Sequence, residues 1–165
     1  MHAFVIDAFE FCQAKDRREG DMAIVGLPRL AEDTVDRVGQ VSWVLQGGVD
    51  RSGHSRLNLS VSATVHLMCQ RCLTPFAFKV ASESTLILAK DEASIDDLEA
   101  MLPDDSVDVI AGGQALNVAE LIEDEVLLAI PLSPKHEVCP DQAALDALKG
   151  AKKPSPFDVL KNMKP

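Results

Sequence analysis

The sequence contains 165 residues and four cysteines, which fits one ordinary domain able to bury roughly 70% of the surface that its unfolded chain exposes. Four cysteines are few for a disulfide scaffold, and no N-terminal segment has the pattern of a secretory signal, so we expect a cytoplasmic protein with reduced thiols. The longest apolar stretch, Val126 to Leu132 with Pro131 inside it, is far shorter than the roughly 20 residues of a membrane-spanning helix, so we expect no membrane partner.

Charge is distributed unevenly along the chain. Residues 1–148 carry 11 basic and 25 acidic side chains, a net charge of −14, whereas residues 149–165 carry five lysines and one aspartate, a net charge of +4. We therefore predict a single domain over 1–148 and a short basic C-terminal tail over 149–165. Nucleic acids are bound largely through lysines and arginines that neutralise phosphates, so direct RNA contact by the acidic body is disfavoured.

The first predicted elements are short. Phe4, Ile6, Phe9 and Phe11 give an apolar opening that predicts a strand. The segment from Lys15 to Asp21 is charged, and we expect it to form a loop.

Three segments alternate apolar and polar residues, which predicts strands near 41–49, 56–68 and 76–88. The alternation is most regular from Leu57 to Leu67. Turn residues from Asp50 to Gly53 separate the first two segments, so these should pair as antiparallel neighbours. The third segment follows the second closely, so the antiparallel sheet should contain a second hairpin with two cysteines at its tip.

An acidic stretch follows the sheet. A short helix is expected to start near Ser94, and Val107 to Ile110 should form a brief strand. The sequence leaves open whether the acidic loop over 91–108 is ordered.

The main helix is predicted near 118–130, because Asn117 can cap it and the residue before Pro131 avoids the helical region. Its apolar residues should pack against the antiparallel sheet, which makes the domain an α+β fold. Its acidic residues should lie on the opposite, solvated face: Glu120, Glu123 and Asp124.

A linker marked by Gly150 and Pro154 leads from a weaker helical stretch into the basic tail. The tail cannot form a stable helix by itself, because isolated helices under about 12 residues are marginal in water. It must therefore dock or stay disordered. We predict a partner-binding set that combines the acidic helix face with the tail: Glu120, Glu123, Asp124, Lys152, Lys153, Phe157 and Leu160.

Two ligand pairs predict a candidate metal site. Cys69 and Cys72 form a C-x-x-C pair, and His136 and Cys139 form an H-x-x-C pair just past the helix-ending proline. Thiolates and imidazoles hold zinc in four-coordinate structural sites, so zinc is a possible cofactor. More than sixty residues separate the pairs, so only tertiary folding can bring them together. Two other interpretations stay open: reduced cysteines that pack as small apolar groups, and a redox pair, which a hairpin position disfavours.

The sequence lacks the motifs of the common enzyme classes. There is no G-x-S-x-G, Walker loop, Rossmann glycine pattern or H-E-x-x-H motif, so we expect no enzymatic activity and no small-molecule substrate. The consecutive acids Glu123, Asp124 and Glu125 point in different directions on a helix, so they do not converge on a cation. A solvated face or a partner-binding surface is the better interpretation.

Three blocks resemble the YceD family, bacterial proteins associated with accumulation of large-subunit ribosomal RNA: Cys69 to Phe76, Glu120 to His136 and Lys153 to Leu160. The resemblance implies a role in the synthesis, processing or stability of 23S ribosomal RNA, without an assigned catalytic chemistry. Together with the acidic body, it predicts a non-enzymatic accessory factor that acts through a ribosome-biogenesis or RNA-processing protein. Two alternatives stay open: direct RNA binding through the lysine-bearing tail, and a zinc-stabilised protein-interaction module unrelated to RNA.

Overall fold

The computed structural model describes residues 4–102, 106–140, 142–150 and 156–157. The predicted α+β class is confirmed, with a five-stranded sheet packed against helices. The strands are β1 (Val5–Ile6), β2 (Arg17–Ala23), β3 (Gln40–Val49), β4 (Ser55–Met68), β5 (Pro75–Ala89), β6 (Asp108–Ala111) and β7 (Leu116–Asn117). The α-helices are α1 (Ala8–Gln13), α2 (Pro28–Asp33), α3 (Ile95–Met101), α4 (Val118–Ala129) and α5 (Gln142–Gly150).

The main sheet has the strand order β2-β3-β4-β5-β6. The three strands predicted from alternation are present as β3, β4 and β5, and they pair antiparallel as expected. The brief strand β6 joins parallel to β5, which is possible because α3 lies in the crossover between them. In the second hairpin Met68 pairs with Pro75, so the turn between these residues carries both predicted cysteines.

The strand predicted through Phe9 and Phe11 is wrong, because both residues lie in α1. The Asp7 side chain accepts a hydrogen bond from the Glu10 backbone N–H at 3.0 Å, which starts the helix directly after β1. Phe11 is buried in the core while Glu10 is exposed, so one face of α1 packs inward in a helical rather than an alternating pattern.

The loop predicted from Lys15 to Asp21 is also wrong over most of its length. Arg17 to Ala23 form β2, which pairs with β3 along its whole length, with Gly20 opposite Trp43. Six of the seven residues in β2 are exposed, and only Met22 is buried, so no apolar alternation marks the strand. Pairing with the neighbouring strand, a tertiary contact, decides its conformation.

The core lies between the inner face of the sheet and the helices, with Leu45 and Leu59 of the sheet packed in one cluster with Ile122 and Val126 of α4. The predicted cap of α4 is confirmed: the Asn117 side chain accepts from the Ala119 backbone N–H at 3.1 Å. Among the described residues no helix is long and apolar enough to cross a membrane.

The outer face of the sheet, turned away from α4, is covered at one end only. There Ile87, Ala89 and Val109 form a small second cluster with residues of α3. Farther along the same face the side chains are short and polar, as at Ser42 and Ser60, and neither residue is buried. The sheet therefore has a packed inner face and a mostly uncovered outer face.

Candidate metal centre

The tip of the β4–β5 hairpin positions the first ligand pair. The Cys69 backbone N–H donates to the Thr74 carbonyl at 3.0 Å, and the Leu73 N–H donates to the Cys69 carbonyl at 2.9 Å. Leu73 has φ = +58°, a left-handed conformation that turns the chain sharply back toward β5. These bonds hold Cys69 and Cys72 on one side of a tight turn.

The segment after α4 brings the second pair to this tip. Pro131 follows the end of α4, and the chain then returns to the hairpin, where the Gln70 N–H donates to the Pro134 carbonyl at 2.8 Å. Arg71 donates from Nη2 to the His136 carbonyl at 3.1 Å. The His136 ring lies 4.8 Å from the Phe76 ring, between centroids.

The four predicted ligand residues converge. Their ligand atoms all lie within 4.8 Å of one another. The Cys69 and Cys139 sulfurs are 3.8 Å apart, and the Cys72 sulfur is 3.4 Å from His136 Nδ1. A tetrahedral zinc with Zn–S bonds near 2.3 Å and Zn–N bonds near 2.0 Å places its ligand atoms about 3.5 to 3.8 Å apart. This donor set of three thiols and one imidazole therefore fits a metal ion, and the four residues could hold one.

Hydrogen bonds and burial act in opposite directions on the thiols. Burial raises the pKa of Cys69, but the backbone N–H groups of Cys72, His136 and Arg71 outweigh it and lower that pKa to about 5. Burial raises the pKa of Cys139 against the effect of the Arg71 guanidinium, whose Nε donates to the Cys139 sulfur at 3.0 Å. Metal-binding cysteines are thiolates, and the backbone of the hairpin tip already stabilises one.

The fourth cysteine lies apart from this centre. Cys12 is fully buried in the core, and its thiol donates to the Arg56 carbonyl at 3.2 Å. Burial raises its pKa, which disfavours the thiolate that a metal or a redox reaction requires. Cys12 therefore packs as a small buried group in the core.

Glu123 does not lie on the solvated face of α4, and that part of the prediction is wrong. Its side chain is only 4% exposed. One carboxylate oxygen accepts from the backbone N–H groups of Arg29 and Leu30, at 2.6 and 3.0 Å, and the other accepts from Arg29 Nε at 2.9 Å. Glu123 therefore binds the first turn of α2 and is not available to a partner.

The other acidic residues of α4 are more accessible. Glu120 is exposed and accepts from the Asn117 side-chain amide at 2.9 Å. Asp124 is half exposed and accepts from Arg29 Nη1 at 2.6 Å. Sequence reasoning missed Arg29, because its contacts with Glu123 and Asp124 join residues more than ninety positions apart in the chain.

The predicted tail residues fall mainly outside the described part of the chain. Lys152, Lys153 and Leu160 lie outside the described residues, while Phe157 is described and exposed. Lys149, at the start of the predicted tail, lies in α5 and pairs with Asp146 at 3.6 Å. The partner-binding role of this set stays a prediction.

Comparison with known proteins agrees with the resemblance read from the three blocks. The family described as large ribosomal RNA subunit accumulation protein YceD matches residues 57–164. A Haemophilus influenzae protein named large ribosomal RNA subunit accumulation protein YceD is 30% identical over 166 residues, which cover 96% of this chain and 94% of that protein. No solved structure matches the chain. The chain therefore belongs to the YceD family, whose name links it to accumulation of large-subunit ribosomal RNA.

Proposed function

We propose that this protein is a non-enzymatic cytoplasmic factor that supports the synthesis, processing or stability of 23S ribosomal RNA through protein contacts. The observation that carries the proposal is a body with a net charge of −14 over residues 1–148 in a family named for ribosomal RNA accumulation. A surface of that charge repels phosphate. A role in RNA metabolism is then best served by binding a protein that itself contacts RNA.

We further propose that the centre at the hairpin tip holds zinc in a structural role. Four protein ligands fill a tetrahedral site, whereas catalytic zinc keeps a position open for water or substrate. Cys69 and Cys72 come from the hairpin, and His136 and Cys139 come from the segment after α4, so the metal would join two distant parts of the chain. It would fix that segment against the sheet.

A partner surface is proposed beside this centre. Leu128 and Leu132 are large apolar side chains that are almost fully exposed, near the end of α4, and Glu120 and Asp124 present carboxylates on the same helix. Exposed apolar groups rimmed by charge are typical of protein interfaces. We expect the predicted tail residues Lys152, Lys153, Phe157 and Leu160 to contact the same partner.

The test of the ribosomal role combines depletion with capture. Cells depleted of the protein should show a lower ratio of 23S to 16S ribosomal RNA, and re-expression of the full chain should restore it. A tagged chain should capture a ribosome-biogenesis or RNA-processing protein, and the capture should survive nuclease treatment. An unchanged RNA ratio together with no such partner would defeat the proposal.

Direct RNA binding through the tail is the second candidate, favoured by the five lysines within residues 149–165. It predicts low-salt RNA binding by the purified full chain that weakens steeply as salt is added. A chain that ends at residue 148 should then lose the binding. Capture that is lost on nuclease treatment would favour this candidate over protein contacts.

A further inference from the structure

Among the described residues, strand β2 is a free edge of the main sheet. It stands first in the strand order, and β3 is the one described strand that pairs with it. At the two ends of this pairing the Gly47 N–H donates to the Asp16 carbonyl at 2.9 Å, and the Ile24 N–H donates to the Gly39 carbonyl at 3.1 Å. Backbone groups alternate in direction along an antiparallel strand. The even-numbered residues of β2 therefore bond to β3, and the odd-numbered residues face away from it.

The backbone groups of Glu19 and Asp21 consequently point outward along the free edge. Over the part of the chain that the structure describes, no backbone hydrogen bond engages them. At Arg17, two residues before Glu19, the outward N–H donates to the Asp16 side chain at 2.9 Å. That N–H is therefore already engaged and does not bond to an added strand. Edge strands with free N–H and C=O groups are templates for another strand unless something blocks them.

The side chains of the same two residues add a negative charge beside this edge. Glu19 and Asp21 lie on the outer face of the sheet, where they line an open groove of about 670 Å³ together with Glu83. Short side chains also line the groove, as at Ser60 and Ser62. The Asp21 carboxylate accepts from Ser42, and the Glu19 carboxylate is paired with the Arg17 guanidinium. Glu83 adds a third carboxylate across the groove, so the carboxylates outnumber this one cation.

We propose that β2 binds an extended, lysine- or arginine-rich segment of a partner protein as an added strand. The backbone of that segment would bond to Glu19 and Asp21, and every second side chain would project over the outer face toward the carboxylates. A basic partner matches the charge of the groove, whereas RNA, with its phosphates, does not. The inference rests on the proposed function, in which the protein acts through protein contacts, and gives the partner a chemical class.

The test uses a labelled heptapeptide of alternating lysine and threonine and the purified full-length chain. Fluorescence anisotropy measures the dissociation constant at low salt. Trp43 is the single tryptophan of the chain, and its ring lies 3.5 Å from where a Cβ on Gly20 would sit, so its emission reports on events at β2. We expect saturable binding with a change in Trp43 emission. A glutamate–threonine peptide and a lysine–threonine peptide N-methylated at alternate residues should both fail to bind.

Two kinds of variant measure separately how much the side-chain charges and the backbone hydrogen bonds contribute to peptide binding. The double variant Glu19→Gln/Asp21→Asn should weaken binding about 2- to 30-fold, as expected for two exposed ion pairs. Asp21→Pro should weaken it about 5-fold more than Asp21→Ala, because both remove the charge but only proline removes the outward N–H. The matched control Glu32→Gln/Asp33→Asn removes two exposed acids from α2 and should leave the affinity unchanged.

Three results would overturn the inference: no binding of the basic peptide at low salt, equal binding of the N-methylated peptide, or equal affinity of the Glu19→Gln/Asp21→Asn variant. Peptide binding that appears only after the chain is cut at residue 148 would assign the edge to the tail of the same chain. A concentration-dependent dimer that Asp21→Pro abolishes would assign it to a second copy, and both results count against a foreign partner. Because the peptide assay needs no ribosomal RNA, it can fail while the proposed function stands, and the reverse also holds.

Discussion

Replacing Glu123 with alanine should destabilise the protein strongly, because this carboxylate replaces a missing helix cap. Helix α2 begins with Pro28 after Leu27, which has no side chain able to cap it. The Glu123 carboxylate instead accepts from the backbone N–H groups of Arg29 and Leu30 in the first turn. It reaches them from α4, more than ninety residues later in the chain.

The magnitude follows from those bonds. Alanine would leave two backbone donors without a partner, and each unsatisfied buried donor costs about 1 to 3 kcal/mol. The hydrogen bond of the Arg29 N–H is only partly buried, so this donor can partly recover a water, whereas the bond of the Leu30 N–H is buried. We therefore expect a loss of about 2 to 4 kcal/mol in the free energy of unfolding. Glu123→Gln keeps one acceptor and should lose about half as much, since bonds to a charged acceptor are roughly twice as strong as neutral ones.

The assay is urea unfolding at neutral pH, followed by Trp43 fluorescence. Asp124→Asn is the matched control, since Asp124 also binds Arg29 but is half exposed. An exposed ion pair of this kind is worth about 0.2 to 1 kcal/mol. If Glu123→Ala were no less stable than Asp124→Asn, the capping argument would be refuted.

Three further outcomes are expected. Elemental analysis should find about one zinc per chain, and this content should fall in Cys72→Ser but not in Cys12→Ala. Removal of the metal by a chelator should make residues 131–140 sensitive to protease while the sheet stays folded. Arg71→Ala should weaken zinc affinity about 10- to 100-fold in a competition titration, because its guanidinium donates to a ligand sulfur. Gly47→Ala should lower the free energy of unfolding by about 1 to 3 kcal/mol, since a Cβ there would lie 2.6 Å from the Phe11 carbonyl oxygen, whereas Gly48→Ala meets nothing within 4 Å and should be tolerated.

The candidate metal centre could be predicted from the sequence because its signals are local. The spacing of Cys69 and Cys72 and the alternation on either side of them place two thiols at a hairpin tip. Likewise, Pro131 predicts where α4 ends, and so where the chain can turn back. The sequence could not give the distance between the two pairs, which depends on how α4 packs across the sheet.

Other features could not be predicted because the deciding contact lies far away in the chain. Glu123 has the same local pattern as its exposed neighbour Asp124, and only the position of α2 buries it. The strand β2 has no apolar alternation, and only β3 makes it extended. In both cases a polar residue meets a partner that no local period encodes.

The candidate metal centre lies apart from the main hydrophobic core. Of the residues that the structure describes, none from 131–140 and none of the four ligands belongs to the main core cluster, which the sheet and the helices form among themselves. Small zinc domains are unfolded without metal because they lack such a core. Here the main core cluster forms without the four ligand residues, so we expect removal of a bound metal to act mainly on the segment that it would fasten. The exposed Leu132 lies in that segment, and the exposed Leu128 lies near the end of α4 just before it. Loss of zinc should therefore weaken the proposed partner surface before it weakens the fold.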